Sequence, residues 1–176
     1  DVTGFTVNCG VRMHGELNRS PTATAKHSFR LLFKKEYGPG KLHYPLFDNC
    51  DVAEFDGIVL RGMYGDSFAR ASGADSAQYV RDQFAHDSRR DMGMLAPAGR
   101  FVHLFLNGLY WGLYNANERP DADFCADHLG GVEADWDIME ARFVYPTGYD
   151  DGLKEGSRDT WNAMMALVTN TSQITP

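Results

Sequence analysis

The sequence is short of several things that would have named a chemistry. Its cysteines are few and scattered: Cys9, Cys50 and Cys125, three in 176 residues, with no C-x-x-C. An odd, unspaced set does not read as a disulfide framework. It reads as three small buried hydrophobes, or as one bridge plus a thiol if the protein is exported. Positive charge is also scarce. A net charge of −7 argues against a nucleic-acid partner, which would want a basic face. No apolar run approaches the roughly 18 residues needed to span a bilayer. The six histidines form no H-x-x-x-H or H-E-x-x-H, so no zinc site is expected, and His14 and His103 read as structural. Gly65-Asp66-Ser67 fails as a nucleophile elbow because position 69 is Ala. Gly38-Pro39-Gly40-Lys41 fails as a phosphate loop, with Lys35 where Gly is required and Leu42 where Ser or Thr is required. The chain opens on Asp1 without an initiator Met or a signal peptide, and is expected to be a mature or excised piece.

What is present is an ordinary globular composition, 43% hydrophobic and 23% charged. Its length suffices for one domain with a real core, and residues 1–176 read as a single domain without repeat or linker. The clearest local signal is Asn107-Gly108 between two apolar runs, a hairpin turn. A two-residue turn there pairs Leu106 with Leu109, Leu104 with Trp111 and Val102 with Leu113, and predicts all six buried on one face. The opposite face would carry Phe105 with Tyr110, His103 with Gly112, and Phe101 with Tyr114. The hairpin leaves through the polar run Asn117-Glu118-Arg119-Pro120.

Earlier strands are predicted over Thr6–Met13, His27–Lys35 and Gly57–Arg61, with a short apolar segment at Leu42–Phe47. Asp75 or Ser76 is placed to cap a helix reaching about Met92, its apolar line being Ala77, Val80, Phe84 and Ser88. Asp121 is placed to cap a short helix through His128, stopped by Gly130-Gly131. Trp136–Glu140 reads as a strand, Tyr145–Gly156 as a loop, and Arg158–Val168 as a last helix with Trp161, Met164, Met165 and Val168 on one side. The order predicts an α+β fold, a mostly antiparallel sheet with packed helices.

Lys26 opens the second strand, and a helix rich in acidic and basic residues follows the third. In protein kinases a strand lysine grips the phosphates and is held by a carboxylate from the following helix. A strand lysine is more often a solvated charge, so this spacing is weak by itself.

Several blocks together resemble the spore coat protein H (CotH) kinase-like family. They are Val11-Arg12-Met13-His14-Gly15 with Arg19-Ser20, Lys26 to Phe33, Leu60-Arg61-Gly62 with Asp66-Ser67, Val80 to Phe84, and Leu106 to Tyr114 with Glu118-Arg119. They occur in family order and cover nearly the whole chain. The resemblance implies the N-lobe of an atypical protein-kinase-like fold, using ATP and Mg2+. It implies phosphorylation of Ser or Thr on extracellular or coat proteins, and a place outside the cell or at its surface. Carried over by position, Lys26 is the phosphate-gripping lysine and Asp82 its partner, with Asp87 and Asp91 as competitors. Tyr114, Asn117 and Glu118 fall at the strand exit beside the base. In family members the catalytic and metal-binding aspartates lie beyond the helix that Arg158–Val168 resembles. On that reading residues 1–176 are an N-terminal portion of the domain, with no catalytic or metal-binding residue of its own, no transfer activity alone, and no tight hold on ATP or Mg2+. The alternative is a non-catalytic cell-surface or coat module, with Tyr64, Phe68, Tyr110 and Tyr114 as contact aromatics.

Overall fold

The structure, a computed structural model, describes residues 4–15, 19–48, 50–70, 73–140, 142–144, 148–150 and 152–169. It divides into two compact units, Asp1–Arg119 and Pro120–Pro176. The expectations for Tyr145, Pro146, Thr147 and Asp151 lie outside the described residues.

The first unit is built on five strands: β1 (Gly10–His14), β2 (Ser28–Leu32), β5 (Gly57–Arg61), β6 (Gly99–Leu106) and β7 (Leu109–Asn117). They form one sheet in the order β1-β2-β5-β7-β6, every neighbour antiparallel. The two-residue strands β3 (Leu42–His43) and β4 (Glu54–Phe55) pair beside it. Between β5 and β6 lies one helix, α1 (Arg81–Asp91). Together with the helices of the second unit this is an α+β fold with a mostly antiparallel sheet, as the pattern predicts.

Strand alternation gives the sheet two unlike faces. One carries Phe29, Leu31, Ile58, Leu60, Val102, Leu104, Tyr114 and Ala116, packed against Phe33, Leu42, Phe47 and Phe55 from the loops and β3–β4. This is the core, and Tyr114 and Ile58 at its centre are almost wholly buried. The other face is polar. One row across it reads Arg12, Arg30, Val59, Asn117, and the adjoining row includes His14, Ser28, Arg61 and Asn115.

The hairpin forms where predicted. Asn107 (φ 51°) and Gly108 (φ 80°) adopt the paired left-handed geometry of a tight turn, and Leu106 faces Leu109. The register then departs from the expectation. A bulge places Trp111 as an extra residue, so that Leu104 faces Gly112, His103 faces Leu113 and Val102 faces Tyr114. Gly112, at φ 126°, supplies the backbone shape that the bulge needs. The prediction of six residues buried on one face therefore fails: Leu109 and Trp111 are exposed, Leu113 passes to the opposite face with His103, and Val102, Leu104 and Leu106 are half-buried. The bulge keeps Val102 and Leu104 on the core side together with Tyr114.

The α1 expectation also changes. A short 3-10 turn occupies Ala74–Ser76 and the helix begins only at Arg81. Its buried residue is Gln83, while Val80 and Phe84 are exposed. The helix packs by its polar side because the face it meets is polar.

In the second unit Asp121 caps α2 (Ala122–Leu129), its Oδ1 accepting from Phe124 N at 3.3 Å. Gly130 (φ 88°) follows the helix. β8 (Ile138–Met139), within the predicted strand, pairs with β11 (Leu153–Glu155), and β9 (Arg142–Val144) with β10 (Gly148–Asp150); β10 and β11 fall where the sequence reads as loop. α3 (Asp159–Thr169) ends the described chain. No helix among the described residues is long and apolar enough to cross a membrane.

Candidate functional site

The polar face of the five-stranded sheet concentrates charge in an otherwise acidic protein. Arg12 and Arg30 stand directly opposite each other across β1 and β2. Like charges so placed repel, and such a pair is tolerated where anionic groups lie close. Arg30 is buried and reaches Asp56 at 3.9 Å. His14, beside Ser28 in the next row, feels Arg119, Arg30, Arg12 and Arg61. Burial first, and then these four guanidinium charges, push its pKa down to about 4. Arg61 closes the row from the last position of β5 and forms an ion pair with Asp82 on α1. Its neighbour Gly62 donates from N to Ser28 Oγ at 2.9 Å, and a Cβ there would stand 2.7 Å from the Lys26 carbonyl oxygen. The Leu60-Arg61-Gly62 block thus has a steric cause: only glycine lets the chain leave β5 so close to β2.

α1 is seated on this face by two polar devices. A relay of buried amides runs from Asn117 Nδ2 to Asn115 Oδ1 at 3.3 Å, from Asn115 Nδ2 to Gln83 Oε1 at 2.8 Å, and from Gln83 Nε2 to Asp87 Oδ1 at 2.8 Å. The helix start is held by Asp66, since Val80 at the cap position has no side-chain acceptor to offer. Asp66 Oδ1 accepts from Gln78 N at 2.8 Å, Arg81 Nε at 2.9 Å and Arg81 Nη2 at 2.5 Å, and Oδ2 accepts from Arg81 N at 3.3 Å. The Arg81 side chain, aided by these backbone donors, holds the Asp66 carboxyl down to about 2. This fixes Arg81, and with it the adjoining Asp82 against Arg61.

The residues singled out from the sequence are placed unequally. Lys26 is half-buried and meets no carboxylate among the described residues: its Nζ donates to Tyr79 Oη and to the Leu113 carbonyl, between the rings of Tyr79 and Tyr114. Asp82, expected beside it, is committed to Arg61. Tyr114 lies in the core, its hydroxyl donating to His27 O at 2.9 Å, so its ring offers no exposed surface. Asn117 belongs to the amide relay. Glu118 is buried, its Oε2 accepting from Ala98 N at 2.7 Å while its own N donates to Ala98 O at 3.0 Å. Arg12, Arg30, Arg61 and Arg119 all stand in the blocks that carry the resemblance, but the sequence reading gave them no role. Their signal was parity: Arg12 and His14, Ser28 and Arg30, Val59 and Arg61, and Asn115 and Asn117 each lie two apart, on one side of their strands.

Searches among curated proteins and among solved structures return no match. The model of the family described as CotH kinase protein matches residues 11–172. That span takes in the whole polar face, α1 and both hairpin strands, and the chain belongs to the CotH kinase family.

Proposed function

We propose that the polar face of the first unit holds the phosphates of ATP in a kinase that phosphorylates Ser or Thr hydroxyls of coat or cell-surface proteins. One observation carries this reading. Arg61, on the third strand of the main sheet, pairs with Asp82 on the helix that follows. Protein kinases set a strand lysine against a helix carboxylate in this order to orient the nucleotide phosphates. The phosphate-gripping role that the resemblance assigns to Lys26 thereby passes to Arg61. A guanidinium suits it, since its planar fork binds phosphate oxygens in pairs and keeps its charge at every working pH.

The donor set fits an anion. Arg12, Arg30, Arg119 and His14 surround one end of the face, and two of the arginines oppose each other directly. Magnesium is a hard cation that takes carboxylate, water and phosphate oxygens. Asp82 is bound to Arg61, so the ion would be held here chiefly through the phosphates it accompanies. When bound, it would supply positive charge that offsets the charge developing in transfer. Residues of this face would orient and neutralise the phosphates, while Asn117 and Glu118 fix the strand exit through buried hydrogen bonds rather than by side-chain contact with the base.

A second reading, a coat-assembly module, is favoured by the exposed hairpin tip of Phe105, Leu109, Tyr110 and Trp111. Titration calorimetry with Mg·ATP on the 176-residue chain separates the two. Arg61→Gln should weaken binding about tenfold or more, as expected for a lost charge-assisted phosphate contact. Affinity indifferent to Arg61→Gln would favour the assembly module.

A further inference from the structure

We propose that Lys26 is a covalent modification site, a nucleophilic amine that accepts acyl groups from small thioesters. The nucleotide reading leaves this lysine unused, and the surroundings of its Nζ are unusual. Tyr79 and Tyr114 lie on it with ring centroids at 4.4 and 4.8 Å. Its two hydrogen-bond partners, Tyr79 Oη and Leu113 O, are both neutral acceptors. A neutral amine has two N–H groups and one lone pair. Two acceptors satisfy both of its N–H groups, whereas an ammonium has only the two tyrosine faces for its third proton and, among the described residues, no carboxylate opposite its charge.

The charged form is further disfavoured by burial, which pushes the Lys26 pKa down to about 8, and no neighbouring charge contributes. The groups facing it are Tyr79, just before α1, Tyr114 and the Leu113 carbonyl on β7, and Thr24, whose Oγ1 accepts from Lys26 N at 3.1 Å. The two tyrosines are themselves pushed up by burial and stay uncharged across this range. Access comes from Gly112. A Cβ on that residue would stand 3.5 Å from Lys26 Cε and 3.7 Å from Nζ, and its absence leaves room for a small carbonyl group to approach.

The step balances without a further reactant. The Nζ lone pair attacks the thioester carbonyl carbon, a C–N bond forms, and the C–S bond breaks. The thiolate leaves and takes up the proton released by nitrogen, giving an amide and a thiol. The product amide has one N–H for the two acceptors and no charge between the rings. Acylation therefore leaves one of these two acceptors without Lys26, while Tyr79, which immediately precedes Val80 at the start of α1, keeps its own bond to the Leu113 carbonyl.

The chain has five lysines, Lys26, Lys34, Lys35, Lys41 and Lys154, so the others serve as internal controls. The whole chain is treated at pH 8 with limiting S-acetyl-N-acetylcysteamine, and each site is quantified by peptide mass spectrometry. Lys26 should acetylate about tenfold faster than the other four, its larger free-amine fraction outweighing its lower intrinsic nucleophilicity. Its rate should level off above pH 8–9 while theirs keep rising. Tyr79→Ala, checked for folding by circular dichroism, should bring Lys26 to the rate of the controls. Labelling of Lys26 equal to or slower than that of the controls in the unaltered protein would overturn the proposal. So would a rate that climbs without levelling. Neither readout depends on nucleotide binding, so failure here and failure of the kinase reading are separate events.

Discussion

The two faces of the five-stranded sheet share strands, backbone hydrogen bonds and twist, and differ in everything their side chains do. On the core face Ile58, Leu60, Tyr114 and Ala116 are shut away by Phe33, Phe47 and Phe55. On the other, Arg61 and Asn115 meet a helix that presents Asp82 and Gln83, while Arg12, Arg30 and His14 gather on the outer strands of the same face. Apolar burial is non-directional, so the core face contributes stability in proportion to area and tolerates changes of shape that preserve volume. The polar face gains little net energy from each contact, but every contact is directional. It determines where α1 sits, and a small displacement there would part Arg61 from Asp82.

The sharpest way to break the comparison is at its extremes. Tyr114→Ala empties the centre of the core face and should lower unfolding stability by about 3–5 kcal/mol in urea titration. The same truncation at Trp111, which the bulge leaves exposed, should cost no more than about 1 kcal/mol. A Trp111→Ala loss as large as that of Tyr114→Ala would mean that the hairpin keeps its unbulged register.

Next in size is the clamp on α1. Asp66→Asn keeps the shape but removes the charge that gathers the Arg81 guanidinium and the helix-start amides, and should cost about 1.5–3 kcal/mol. The acid limb checks the same contact. With its pKa depressed to about 2, Asp66 contributes stability that is complete above its ordinary value near 3.8 and is lost as pH falls through 2. In Asp66→Asn that part of the acid limb should vanish. Amide exchange along α1 should accelerate while that of β2 and β5 stays slow, if the clamp serves the polar face alone.

Much of the architecture was legible in the sequence because it follows from local rules. The strand Gly57–Arg61, the Asn107-Gly108 turn and the Asp121 cap are found where the pattern put them. The bulge was not, because Trp111-Gly112 can continue a regular ladder until β5 pairs with the far end of β7 and sets its register. The face of α1 was misassigned for a related reason. Helical periodicity points to Val80 and Phe84, yet only the parity of β5 and β7 shows that the target is polar. Lys26 drew attention as the lysine that opens a strand, whereas Arg61 at a strand end carries the ion pair. Finding it required counting basic residues by strand parity rather than searching for lysine.

The pH dependence contributed by His14 is the most direct report on the polar face. His14 is held neutral by burial and by Arg119, Arg30, Arg12 and Arg61, with its pKa pushed to about 4. The unfolded chain would take up that proton near the ordinary 6.5. Between these two values the unfolded state binds more protons, so stability rises with pH from about 4 to about 6.5 and is flat in this respect above. His14→Gln should flatten that segment of the stability profile. The imidazole can also be followed by NMR. An anion bound among the four arginines offsets their charge, so inorganic phosphate should move the His14 midpoint up from about 4 toward its ordinary value. A His14 midpoint unmoved by phosphate would separate the arginine cluster from anion binding and leave Arg61 alone to carry it.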